Sequence, residues 1–198
     1  MRNSSNIIQL CVVLLVTACG GATAQRDPAD AQGEDAPGAA TSELLSCGLI
    51  ITRVVNPGVP LTYTIRVQRV NCTVPPESVV LGNSIGHDPV LSLVSSELGA
   101  VATYTQKQSV SGSSPVTLGV VHVDPETLAI VRSTNLAVYL GRGNISSGTP
   151  RIEADGTTLT VSGTKSGVLL GEVGGGSHYV ATYPDFFTST LAPTLVAY

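Results

Sequence analysis

From residue 47 onward, apolar and polar positions alternate in short runs set apart by turn-forming residues. The clearest run is 59–70 (VPLTYTIRVQRV), where Leu61, Tyr63, Ile65 and Val67 alternate with Thr62, Thr64, Arg66 and Gln68. A period of two puts one face of a strand in a core and the other in water. The run 48–55 (GLIITRVV) reads as a strand too, and Asn56-Pro57-Gly58 between them is a turn, so the two are expected to form a hairpin. Further strands are predicted at 78–81, 101–107, 115–123, 127–132, 136–140, 150–154, 157–162, 166–170, 178–183 and 191–197. Most are separated by turn formers such as Asp124-Pro125, Gly141-Arg142-Gly143 and Gly174 to Gly176, and Asp155-Gly156 is the best hairpin turn. Many short strands at this spacing predict an all-β fold, an antiparallel β-sandwich or small barrel. One stretch has helical spacing: Asp88 and Pro89 suit an N-cap and first helical position, Leu91, Val94 and Leu98 share a face, and Gly99 would end it.

The first 43 residues break this pattern. Ile7 to Val16 is a ten-residue apolar run behind a single Arg2, about 15 Å long as a helix and so half of what a bilayer requires. Its length and flanks are those of an export signal. Two processing sites compete. Val16-Thr17-Ala18-Cys19 resembles the lipobox of bacterial lipoproteins, which implies cleavage before Cys19, acylation of that cysteine and attachment to a bacterial membrane through N-terminal acyl chains. Ala22-Thr23-Ala24 fits an ordinary signal peptidase site that releases a soluble secreted protein beginning at Gln25. The lipobox reading leads, because Cys19 directly follows the apolar run and an acidic Gly/Ala/Pro segment follows it. Residues 20–43 contain no Val, Ile, Leu or aromatic side chain and are expected to be a disordered tether. The organisation predicted is a signal peptide over 1–18, an acylated cysteine and acidic tether over 19–43, and a β-sandwich domain over 44–198.

Charge divides along the same boundary. The 198 residues carry a net charge of −4, and only 12% of them are charged. The tether holds five acids against one base, a net −4, whereas residues 44–198 hold eight bases and nine acids, a net −1. Neither part has the basic face that nucleic acid requires, so nucleic acid binding is excluded.

Of four cysteines, Cys11 lies in the signal and Cys19 is the lipidation candidate, leaving Cys47 and Cys72 as an even pair in an exported domain. A disulfide between them is expected. Pairing about a turn centred near residue 58 places Cys47 opposite position 69, just past the end of the hairpin. No CxxC motif is present, and two sulfurs with no nearby histidine make a poor zinc site.

Candidate chemistry is sparse. His87, His122 and His178 are the only side chains able to act as neutral-pH bases in a catalytic constellation. His122 and Asp124 would share a strand face as a metal or His/Asp pair, although Asp124 before Pro125 equally suits a turn. Phe186 and Phe187 sit in an aromatic cluster with Tyr179 and Tyr183, read as core packing or as an exposed binding patch. GEVGGG (171–176) lacks the Lys-Ser/Thr of a phosphate loop and reads as a hairpin loop, while Asn71-Cys72-Thr73 and Asn144-Ile145-Ser146 match a glycosylation pattern relevant only in a eukaryote. Asp155 to Gly167 resembles the Asp-Gly-x-x-Tyr-x-x-x-Gly-x-Ala-x-Gly segment of small mycobacterial lipoprotein antigens, with Leu159 in place of the aromatic and Lys165 in place of the alanine. That resemblance carries no function. No cofactor is implied.

These readings point to a lipid-anchored envelope protein with a noncatalytic binding or structural domain, whose partner would be a protein or a glycan. The alternatives are a soluble secreted β-protein cleaved after Ala24, and an envelope hydrolase assembling a His/Asp pair in space.

Overall fold

The predicted hairpin is present: β1 (Gly48–Asn56) and β2 (Thr62–Val70) pair antiparallel without interruption, from Gly48↔Val70 to Asn56↔Thr62. The inward face of β2 is Ile65, Val67 and, at its end, Arg69, while Leu61 lies beyond the strand and is exposed. The structure is a computed structural model and describes residues 48–71 and 77–198. The signal peptide, Cys19, the tether, Cys47 and Cys72 lie outside the described residues.

Three sheets form. The first has the order β1-β2-β3, with β3 at Ser78–Ile85. The second is a meander of β4 (Leu91–Ser96), β5 (Gly99–Lys107), β6 (Val116–Val123) and β7 (Ile130–Leu136). In the third, β8 (Asn144–Ile145) and β9 (Thr149–Ile152) lie on one side of β10 (Leu159–Ser166), and β12 (His178–Tyr183) on the other. Next to β12 comes β13 (Thr194–Ala197), then β11 (Glu172–Gly174), which pairs parallel to β13 while all other pairs are antiparallel.

The sheets pack as layers, and the fold is all-β as expected. The middle sheet is buried on both faces along β5 and β6, so the sandwich has three layers rather than two. Val121, Val123, Ala102 and Tyr104 meet Ile65 and Val67 of the first sheet. Val101, Leu118 and Val120 meet Leu159, Val161 and Tyr179 of the third. Every residue of β5 from Gly99 to Gln106 is buried. A strand covered on both sides has no place for an ionised side chain, which accounts physically for the charge-poor sequence of β5 and β6.

The helix expected from Asp88 to Leu98 does not form. β4 pairs with β5 from Leu91↔Tyr104 to Ser96↔Gly99. Leu91 and Leu93 pack into one core and Val94 into the other, so the apparent helical spacing is two strand faces read together. Asp88 caps nothing; its carboxylate meets Arg53 Nε at 2.7 Å. Serine and β-branched neighbours give such a segment little helical preference to set against sheet pairing. Three boundaries also move. The strands expected at 127–132 and 136–140 are the single β7 followed by a 3-10 turn at Tyr139–Gly141. Of residues 166–170, Ser166 ends β10 and Leu169 makes only the isolated bridge Val138↔Leu169. The last strand starts at Thr194, after Pro193, which has no amide hydrogen to donate.

The Asp155-Gly156 hairpin forms between β9 and β10, with Gly156 at φ +74° and Asp155 Oδ1 accepting the Thr157 and Thr158 amides at 2.9 and 2.8 Å. Between β8 and β9 the chain swings inward, and the carbonyls this turns into the core are met by hydroxyls. Tyr179 Oη donates to Ser147 O at 2.8 Å and Thr103 Oγ1 to Gly148 O at 2.6 Å.

Candidate functional site

The three histidines lie in separate surroundings. His87 Nε2 is 3.2 Å from the hydroxyl of Thr105, which is fully buried and already accepts the Val90 amide at 2.8 Å. Burial holds His87 below the usual histidine value, against the opposing pull of Asp88. His178 stacks on Tyr198, ring centroids 5.7 Å apart, with Nδ1 3.3 Å from Ser177 Oγ. His122 is buried at 5% exposure between Phe187 and Phe186, whose ring centroids are 5.0 and 6.2 Å away. Its Nε2 sits 3.2 Å from Leu98 O, which assigns the hydrogen to Nε2 because a carbonyl only accepts. Nδ1 is then a buried acceptor with no partner among the described residues, and desolvation lowers the pKa of the ring.

Asp124 is turned away to its own loop. Its Oδ1 accepts the Glu126 and Thr127 amides, both at 2.8 Å, and these bonds hold the carboxyl below its ordinary value. Among the described residues no carboxylate hydrogen-bonds to any of the three histidines, and no cluster of three or more His, Cys, Asp or Glu could hold a metal. The pair His122 and Asp124 therefore divides into a core histidine and a turn aspartate. Phe186 is fully buried and Phe187 packs against the same core, so both belong to core packing.

What Phe186 and its neighbours do position is Arg132. The guanidinium of this β7 residue gathers the carbonyls of the 186–191 loop: Nη1 donates to Phe186 O at 2.9 Å and to Ser189 O, and Nη2 to Leu191 O at 2.8 Å. Its central carbon lies 4.7 Å from the Phe186 ring centroid and 5.7 Å from that of Tyr183. Three carbonyls and two ring faces favour a cation without neutralising it. Arg132 makes no salt bridge among the described residues.

Arg132 stands at the head of a groove. β7 pairs on one side with β6 and on the other has no strand among the described residues. Along that open side runs a cleft of about 410 Å³ whose one wall is the unbroken stretch Arg132–Ala137 and whose other is Leu170 with the 190–193 segment. Leu195 lines it as well, and Leu170 and Leu191 are exposed. Apart from Arg132 the lining carries no charge. A groove of this kind offers backbone donors and acceptors in strand spacing, apolar contact on both rims and one cation at one end.

Lys165 and Glu172 form the ion pair that is buried on both sides among the described residues, and it is of a different kind. Lys165 Nζ meets Glu172 at 3.1 Å and donates to Gly167 O and Gly176 O at 2.7 and 3.0 Å. Its hydrogens are fully used, which makes it a fastening of the 167–177 loops and not a site.

Sequence reasoning missed Arg132 and the β7 edge. The only trace was a lone arginine in an otherwise uncharged run, 127–141. Comparison with known protein families, with curated proteins and with solved structures finds no match to this chain. What defines the protein is therefore its own geometry: an all-β domain of three layered antiparallel sheets with an open edge groove.

Proposed function

We propose that this is a lipid-anchored bacterial envelope protein whose β domain is a noncatalytic binding module, with the β7 groove as its binding surface. The observation that carries the binding part is the free strand edge opening into a cleft of about 410 Å³ with uncharged rims. The anchoring part rests on Val16-Thr17-Ala18-Cys19 behind the apolar run and on the acidic tether after it. With no core-forming side chain, a segment of this length would reach roughly 25–30 Å as an unfolded chain.

Two measurements test the reading. Labelled palmitate is expected to enter the full chain in a bacterial host and to be lost in Cys19→Ala, and an intact mass beginning at Gln25 without lipid would overturn the anchor in favour of a soluble secreted protein. A photo-crosslinking residue at Leu170 is expected to form discrete adducts on cells where the same residue at Ser113, in the exposed β5–β6 loop, forms none. Equal labelling at both positions would overturn the groove as the binding surface.

We also propose a disulfide between Cys47 and Cys72. The described ladder ends at Gly48↔Val70, one and two residues from those cysteines. Closing a loop of about 25 residues is worth about 3 kcal/mol in the chain-entropy account. Two reactive thiols in the exported, unreduced protein would refute it.

A further inference from the structure

The binding reading leaves the chemistry of the partner open, and the groove narrows it. The wall follows the edge of β7 from Arg132 to Leu136 and continues to Ala137, whose carbonyl already accepts the Leu170 amide at 3.2 Å. Free edges in monomeric proteins are usually blunted by lysine, proline, bulges or short length. β7 has its one irregularity at its start, opposite His122/Val123. From Ser133 to Leu136 it has no charge, no proline and no bulge. Leu170, Leu191 and Pro193 line the same cleft, and its volume of about 410 Å³ has room for a single extended segment rather than a second sheet. At about 3.4 Å per residue, the five lining residues of β7 together with Ala137 match about six residues of an added segment.

Direction follows from Arg132. A segment antiparallel to β7 runs from Ala137 towards Arg132 and brings its carboxyl end to the guanidinium. A parallel segment would bring an amino end to the same cation. Since Arg132 has no acidic partner among the described residues and keeps Nη2 towards the solvent side, the antiparallel arrangement is the complementary one. The uncharged rims exclude charged side chains along the rest of the segment, where an ion would be desolvated without a partner.

We propose that the groove captures the carboxyl-terminal end of an extended, uncharged polypeptide of about six residues, added as a strand antiparallel to β7 with its terminal carboxylate on Arg132. This rests on the groove being the binding surface.

The test leaves the fold untouched. N-acetylated hexapeptides of Val, Ile, Thr, Ser, Leu and Tyr are made as matched free acids and amides, and their binding to the full chain is measured by fluorescence anisotropy. The best free acids are expected to bind at least tenfold more tightly than their amides. Alternate N-methylation, which removes strand donors, is expected to abolish that binding. Leu191→Glu, which plants a carboxylate beside Arg132 at an exposed position, is expected to erase the preference for the acid. Equal binding of acid and amide, an unchanged preference in Leu191→Glu, or no binding of any hexapeptide overturns the proposal. If that happens while Leu170 crosslinks persist, the groove remains a binding surface for other chemistry; if the crosslinks fail too, the binding reading falls with it.

Discussion

The Lys165 ammonium and the Glu172 carboxylate meet at 3.1 Å with side chains 1% and 2% exposed. Each is otherwise satisfied: Lys165 Nζ by the Gly167 and Gly176 carbonyls, Glu172 Oε2 by the Leu169 amide at 2.7 Å. The pair thereby ties three glycine-rich turns to β10. Removing one member strands the other as a buried ion, so Lys165→Met and Glu172→Gln are each expected to cost about 3–5 kcal/mol in urea unfolding. The double variant Lys165→Met/Glu172→Leu, with neither charge left, is expected to be more stable than Lys165→Met alone. A double variant whose losses simply add would show that the two side chains do not act as a pair.

Stability should depend on pH through His122 and His87. Burial holds both folded-state values below the unfolded value, outweighing the Leu98 carbonyl at His122 and Asp88 at His87. The unfolded chain therefore binds more protons than the folded one between the lowered value and about 6.5. The contribution of these rings is complete above about pH 7, declines as the pH falls through about 6.5, and levels off below the folded values. Asp124 and Asp155, with lowered values of their own, add a separate loss only at more acid pH. Melting temperature measured from pH 8 to 5 is expected to fall across the histidine window, and to fall less in His122→Gln. An identical slope in that variant would remove His122 as a source.

The pattern of the sequence carried the strands well where one face is wet. β2 alternates because Thr64 and Gln68 stay partly exposed while Ile65 and Val67 are buried. β5 and β6 carry no such alternation of polarity, since Val101 and Ala102 enter different cores, and nothing local distinguishes a doubly buried strand from a singly buried one. β4 failed for the same reason, with Leu91 and Val94 packed against different cores and together mimicking a helical stripe. The groove was less legible still. Whether β7 is an edge depends on which strands pair elsewhere, and Arg132 acquires its role from carbonyls 54 to 59 residues away. The lone-histidine candidates were visible as residues, but their separation in space was not.

Glycines separate into those that fill a conformational need and those that make room. At Gly163 a Cβ would come within 2.0 Å of Ser147 O, the carbonyl that receives the Tyr179 hydroxyl. Backbone that is itself fixed by a buried hydrogen bond cannot retreat, so Gly163→Ala is expected to cost about 2–3 kcal/mol. Gly156 has open space around it and φ +74°, so Gly156→Ala should cost about 1 kcal/mol from backbone strain alone. Gly112 has neither constraint, and Gly112→Ala should stay within about 0.5 kcal/mol of the parent. Urea unfolding of the three variants checks the order; a neutral Gly163→Ala would mean that the 146–148 swing is not held as tightly as its hydrogen bonds imply.

Arg132 carries a prediction about structure distinct from its role in binding. The 186–191 loop reaches β7 through three hydrogen bonds from one guanidinium. A lysine supplies the charge as a compact point donor and cannot span carbonyls that a planar fork reaches from two nitrogens. Arg132→Lys is therefore expected to keep the sheets folded and to loosen the loop. Far-ultraviolet circular dichroism should be unchanged. Hydrogen exchange should quicken at Ser189, whose amide bonds Asp185 O at 2.8 Å, more than at Phe186, whose amide is tied to Thr157 O at 2.9 Å outside the loop. Equal protection at Ser189 in both proteins would show that the loop is held by Phe186 and Phe187 packing and that the guanidinium adds nothing to it. Faster exchange throughout β6 and β7 would show instead that the contact supports the middle sheet as a whole, through the Phe186 ring lying against Arg132 and Tyr183.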